Sequence, residues 1–226
     1  MTTHGFIVFD CDGTLVDTQA AIIAATKAAF ADAGIEIAAH LNLQRLIGLP
    51  LEEVVSRIAP TLDKSEISVM ADRYRAHYDL LSKDVTYESR LFTGIEEVVM
   101  DLRHAGNLIG IVTGKSRPGL YQVLDANGIF DLFDVLKTSE DGPGKPNPSL
   151  LLDAIRDTGS AASRTVMIGD TSFDMEMAVR ANVMPLGVAW GYHEASELRQ
   201  SGAINVADSA GEILAHVDTM MRTAHG

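Results

Sequence analysis

Four short stretches carry the residues suited to polar chemistry. They are Asp10-Cys11-Asp12-Gly13-Thr14, Thr113-Gly114-Lys115, Gly144-Lys145-Pro146 and Gly169-Asp170-Thr171-Ser172-Phe173-Asp174. Brought together, Asp10, Asp12, Asp170 and Asp174 would form a cluster of carboxylates beside a hydroxyl, Thr113, and a lysine, Lys145. Carboxylates crowded in a partly desolvated place repel one another and take up protons unless a cation offsets them. A hard, oxygen-seeking ion such as Mg²⁺ suits that set, and it keeps open positions for water and a phosphate oxygen. No histidine or cysteine completes the cluster, which disfavours zinc.

Each stretch stands beside an element able to position it. Phe6-Ile7-Val8-Phe9, Leu108-Ile109-Gly110-Ile111-Val112, Thr165-Val166-Met167-Ile168 and Pro185-Leu186-Gly187-Val188-Ala189 are short and apolar throughout. Such runs suit parallel strands covered on both faces by helices. Phe133-Asp134-Val135-Leu136 and Ile204-Asn205-Val206 read as weaker strands toward the sheet edges. Between these runs the period turns helical, with Ile95, Val98, Val99 and Leu102 on one face, then Leu120, Val123 and Leu124, then Leu151, Leu152 and Ile155. The alternation predicts an α/β fold, a doubly wound parallel sheet with a Rossmann-like core. Ligands in such sheets bind beyond the carboxyl ends of the strands, so the four stretches should converge at one edge.

One segment departs from the alternation. Residues 17–87 show only helical periodicity, over 20–33, 51–58 and 64–81. Simple strand–helix connections need far fewer residues. The expected organisation is therefore an α/β catalytic core of residues 1–16 and 88–226, with an all-helical cap domain inserted over 17–87.

The bulk composition narrows the function further. Eighteen Lys and Arg against 31 Asp and Glu give a net charge of −13, which repels polyanions and argues against a nucleic-acid partner. A single cysteine, Cys11, excludes an internal disulfide. Met1-Thr2-Thr3-His4-Gly5 has neither the basic start nor the apolar stretch of a secretory signal. A cytoplasmic monomer or homodimer with no membrane contact is expected.

Phe9-Asp10-Cys11-Asp12-Gly13-Thr14-Leu15-Val16-Asp17, followed in order by Thr113-Gly114, Lys145 and Gly169-Asp170 with Asp174, resembles the haloacid dehalogenase-like hydrolase superfamily over nearly the whole chain. The likeness is to its phosphoglycolate phosphatase-like branch, with a helical cap after the first motif. The resemblance implies that Asp10 attacks phosphorus and becomes an aspartyl phosphate, while Asp12 protonates the leaving alkoxide and then activates water. It implies Mg²⁺ on the Asp10 carboxylate, the Asp12 backbone carbonyl and Asp170, with Asp174 either binding through water or orienting Lys145. Thr113 and the Gly114 amide should hold phosphoryl oxygens, Lys145 should neutralise nucleophile and phosphate, and Gly13 joins Gly114 in the substrate-binding set. Members that cleave carbon–halogen or carbon–phosphorus bonds lack an acid at the Asp12 position. An alkoxide leaving group needs its proton, so Asp12 argues for a phosphate ester.

The substrate is less defined. Leu46-Ile47-Gly48-Leu49-Pro50-Leu51 resembles the cap loop that reaches the phosphate site. Sugar-phosphate mutases of the beta-phosphoglucomutase type carry basic residues beside that glycine, where this chain has Ile47 and Leu51. A small phosphorylated metabolite is therefore expected, phosphoglycolate first, with other organic phosphates and pyrophosphate behind. Arg45 is read either as an anion-binding residue or as a solvated one. Lys115 is read as a solvated residue at a helix start, His193 as a loop histidine, and Cys11 as a packed, inert thiol.

Overall fold

In the computed structural model, which describes residues 5–223, the first apolar run forms β1 (Phe6–Phe9), buried along its whole length. Met1-Thr2-Thr3-His4, read above for the lack of a signal, lies outside the described residues. β1 lies inside a six-stranded sheet of order β5-β4-β1-β6-β7-β8, with β4 Leu108–Val112, β5 Val135–Lys137, β6 Thr165–Gly169, β7 Met184–Val188 and β8 Asn205–Ala207. Every pairing in that sheet is parallel.

The two-residue period of β1 sorts its side chains between two cores. Ile7 and Phe9 pack with residues of α4 (Ile95–His104), α5 (Arg117–Ala126) and α9 (Ala210–Thr223). Phe6 and Val8 pack on the other face with α6 (Ser149–Thr158) and α7 (Ser172–Arg180). Helices on both faces explain why these strands are apolar throughout. The chain builds outward from β1 to β4 and β5, then crosses to β6, β7 and β8. The strand order therefore switches direction at β1, where a crevice opens at the carboxyl ends.

Two edge strands begin later than their apolar residues suggest. Asp134 precedes β5 because its carboxylate accepts the Ile109 N–H at 2.8 Å and pairs with Arg103. Ile204 is exposed, and β8 starts at Asn205.

The helical insertion is framed by a ribbon that periodicity cannot reveal. β2 (Val16–Asp17) pairs antiparallel with β3 (Arg90–Leu91), and two residues are too few to alternate. Between them run α1 (Gln19–Asp32), α2 (Leu51–Ile58) and α3 (Lys64–Leu81). These helices have apolar clusters of their own, one around Phe30, Leu46, Val55 and Met70 and another around Ala21, Ala25 and Tyr78. The Asp63 side chain accepts the Ser65 and Glu66 amides and starts α3 where the sequence places it. The loop before α2 turns at Gly48 (φ 100°), a conformation that a side chain would strain. That loop rests on the core: a Cβ on Gly144 would lie 2.8 Å from Pro50 Cγ.

Candidate active site

Asp10 follows β1 directly, and its N–H donates to the Ile168 carbonyl at 2.9 Å, which keeps it in register beside β6. Its side chain is buried. Lys145 Nζ lies 2.6 Å from Asp10 Oδ1 and 2.6 Å from Asp174 Oδ1, so one buried ammonium joins two of the expected residues. Asp174 is set by the first turn of α7. There Thr171 donates to Asp174 Oδ2 through its hydroxyl at 2.7 Å and its N–H at 3.1 Å.

Asp170, just past β6, is held at both oxygens. The Thr14 hydroxyl donates to Oδ1 at 2.7 Å and the Tyr192 N–H to Oδ2 at 2.9 Å. Gly13 (φ 84°) lies against the same carboxylate, where a Cβ would come within 2.3 Å of Asp170 Oδ2. Gly13 is thus needed for close packing beneath the site. It does not line the cavity.

Asp10, Asp170 and Asp174 each offer an oxygen, and these atoms lie within 4.8 Å of one another. Burial pushes the Asp10 carboxyl up to about 7, with Asp174 and Asp12 adding to the rise against the opposing pull of Lys145. Burial, then Asp174 and Asp10, hold Asp170 well above the usual carboxylate range. Burial works against the Lys145 charge, but Asp10 and Asp174 outweigh it and raise that group. Three carboxylates against one ammonium leave negative charge uncompensated in a desolvated place. The donors are all oxygens, so the residues fit a hard cation such as Mg²⁺.

The Asp12 carboxylate lines the same cavity as Asp10 but lies outside the group of Asp10, Asp170 and Asp174 whose oxygens could share a cation. Its Oδ1 lies 2.8 Å from Lys115 Nζ and accepts the Thr18 hydroxyl at 2.6 Å. Its backbone follows a different course. The local bridge to Val16 uses the Cys11 carbonyl and the Gly13 amide, leaving the Asp12 carbonyl out of that ladder. Lys115 is correspondingly not solvated. It is buried, donates to Tyr78 Oη at 2.9 Å, and lies 4.7 Å from the Tyr78 ring centroid. Asp12 and the Tyr78 hydroxyl compensate the ammonium that burial alone would disfavour, and its charged form is strengthened.

Other expectations divide. Thr113 is buried at the end of β4 and lines the cavity with Gly114. Cys11 is buried in the core, and burial pushes its thiol up, as an inert packed residue requires. Arg45 does not line the cavity; its guanidinium forms a two-pronged pair with Glu197 of α8 (Ala195–Gln200), tying cap to core. His193 is buried, accepts the Ser172 N–H at Nδ1 and meets the Phe173 ring edge-on.

A cavity of about 280 Å³ opens above Asp10 and Asp12, between the core loops and the cap. Lys145, Asp170 and Asp174 lie behind Asp10 and do not line it. Sequence reasoning placed Lys115 in solvent and gave no role to Thr14, Thr18, Tyr78 or Tyr192. Thr14 was legible from its place inside the first motif; the tyrosines carried no local signal.

A sequence model described as haloacid dehalogenase-like hydrolase matches residues 7–188. Among curated proteins, one named probable phosphatase IndB from Dickeya dadantii is 28% identical over 96% of this chain and 94% of its own. A phosphoglycolate phosphatase of Nitrosococcus oceani is 28% identical over 92% and 93%. Pyrophosphatase PpaX of Oceanobacillus iheyensis is 28% identical over 85% and 87%. A hydrolase structure from Pseudomonas syringae superposes with a TM-score of 0.85 at 23% identity, covering 96% of this chain and 99% of that one. A beta-phosphoglucomutase structure from Clostridium difficile gives 0.82 at 22%, covering 98% of each. At those identities the two structures show the shared fold alone.

Proposed function

The chain belongs to the haloacid dehalogenase-like hydrolase family and is a phosphatase, and from that premise we propose that it hydrolyses a small phosphate monoester through an aspartyl phosphate on Asp10. The observation that carries this reading is Asp10 at the floor of the cavity, backed by its buried pair with Lys145 and Asp174, with Asp12 beside it after the same strand.

Asp10 attacks phosphorus while Lys145 offsets the charge of nucleophile and phosphoryl group. Thr113 and the Gly114 amide hold phosphoryl oxygens. The ester oxygen departs with the proton of Asp12. The resulting Asp12 carboxylate then takes a proton from water as that water attacks the aspartyl phosphate, which frees phosphate and restores Asp10. Mg²⁺, held by Asp10, Asp170 and the Asp12 carbonyl with Asp174 in support, would supply charge neutralisation on the phosphoryl oxygens. The rest is positioning and electrostatics.

In this reading residues 17–87 act as a cap over the site, in a cytoplasmic enzyme without nucleic-acid or membrane partners. Among the described residues no helix is long and apolar enough to cross a membrane. The names of relatives make phosphoglycolate the first ester to assay.

The test follows free phosphate and rearranged sugar phosphate in one reaction, from hexose 1-phosphate with a bisphosphate primer. Ile47 and Leu51 leave the cap loop without a cation for a distal phosphate, so phosphate should be the main product from any accepted ester. Hexose 6-phosphate appearing faster than phosphate would replace the phosphatase reading with a mutase.

A further inference from the structure

The cavity over Asp10 is walled by the cap in a way that bears on the leaving alcohol. Its volume of about 280 Å³ is close to the lower bound of ~300–1,000 Å³ usual for small organic ligands, and ample for more than a two-carbon acid. The cap contributes Ile22, Leu46, Ile47, Leu51, Val54 and Tyr74 to its lining. The five aliphatic side chains bind by removing apolar surface from water and offer nothing to an anion, and Tyr74 adds a ring with one hydroxyl.

The charges around the cavity point the same way. Among the described lining residues the cations are Arg75 and Lys115. Arg75 pairs with Glu52 at 2.9 Å and with Asp72 at 2.8 Å. Lys115 is engaged by Asp12. Glu52, Asp79 and Glu140 add negative charge to the lining beyond the two aspartates at the floor. The positive end of α2, which begins at Leu51, meets Glu52 and Glu53 in its own first turn. A second anionic group on the substrate would lose its hydration here and meet carboxylates instead of a free cation.

We propose that the alcohol released from this site is uncharged and apolar, an arylmethyl or branched alkyl group, in place of a carboxylate-bearing or phosphate-bearing one. The proposal rests on the phosphatase reading for the identity of the phosphoryl site. It departs from phosphoglycolate because the cap side of the lining is mostly apolar and both lining cations are already paired with carboxylates.

Two phosphonates that cannot be hydrolysed separate the inference from that reading. Benzylphosphonate carries the apolar group and phosphonoacetate the carboxylate, and calorimetry on the Mg²⁺-supplemented full chain reads both without turnover. Benzylphosphonate should bind at least about tenfold tighter, since its ring gains from burial while the carboxylate loses water. Leu51→Arg places a cation on the wall and should shrink that ratio by about tenfold, through tighter phosphonoacetate binding. Equal or tighter binding of phosphonoacetate to the wild-type chain would overturn the proposal, even if phosphoglycolate were hydrolysed. Phosphate release from benzyl phosphate and from phosphoglycolate is measured alongside. Failure to hydrolyse either, with the phosphonate preference intact, would overturn the phosphatase reading and uphold the apolar pocket.

Discussion

Lys115 Nζ lies 2.8 Å from Asp12 Oδ1, and both side chains are buried beneath the cap. This pair joins the first two motifs of the core, and Tyr78 from α3 closes over it at 2.9 Å. On the proposed mechanism, the acid that protonates the leaving group is therefore positioned by a residue at the end of β4 and roofed by the insertion.

Removing that ammonium should damage the proton transfer more than substrate binding. Lys115→Met is expected to lower kcat by about 10- to 100-fold while KM changes by less than about threefold. Steady-state kinetics on an accepted ester reads both. An unchanged kcat would show that Thr18 alone positions Asp12.

Asp10→Asn keeps the shape of the nucleophile and removes its reactivity. The rate should fall at least about a thousandfold, or roughly 4 kcal/mol in the barrier. Folding should survive, because Lys145 keeps its pair with Asp174 and one charge leaves a crowded cluster. Melting curves check the fold, and a purified variant keeping a tenth of wild-type activity would refute covalent catalysis by Asp10.

The acidic cluster should make both activity and stability depend on Mg²⁺. Chelation is expected to abolish turnover, and added Mg²⁺ to restore it. Saturating metal should also stabilise the fold by about 2.7 kcal/mol at a hundredfold excess over its Kd, read as a higher Tm. Asp170→Asn should blunt that rise. Full activity after exhaustive demetallation would remove the metal from the mechanism.

The Arg45–Glu197 pair gives a pH dependence with a defined sign. Hydrogen bonds from the Arg45 side chain, then from the Glu194 backbone, hold the Glu197 carboxyl down to about 2 from its ordinary 4.5. A depressed carboxyl stabilises the fold above pH 4.5, and that contribution is lost as pH falls toward 2. Both side chains are about a third exposed, so solvent screening limits the effect to about 1 kcal/mol or less. Urea unfolding of the wild type and of Glu197→Gln should differ at neutral pH and converge in acid. A gap that widens in acid would contradict the pairing.

Much of this protein was legible in its residues because the informative signals are local. Apolar runs covered on both faces mark β1, β4, β6 and β7, and three of the four polar stretches meet a strand end, with Asp10 after β1, Thr113 after β4 and Asp170 after β6. A doubly wound sheet then brings those ends to one edge, so Asp10, Lys145, Asp170 and Asp174 could be grouped before any coordinates. The ribbon of β2 and β3 was not legible, since two residues show no period.

What only the tertiary structure decided is how charges far apart in the chain divide among partners. Arg45 and Glu197 are 152 residues apart, Thr14 and Asp170 are 156 apart, and Tyr78 reaches Lys115 from another domain layer. A lysine or arginine reads as solvated wherever its own neighbours offer no reason for burial. Its fate turns on whether a distant carboxylate compensates the lost hydration, and that is a property of the packed chain. The sequence therefore determined which groups could be proposed for the chemistry. The fold decided that the Asp12 carboxylate pairs with Lys115 outside the group of Asp10, Asp170 and Asp174, and that the helical insertion faces the cavity with apolar side chains while Arg45 pairs with Glu197.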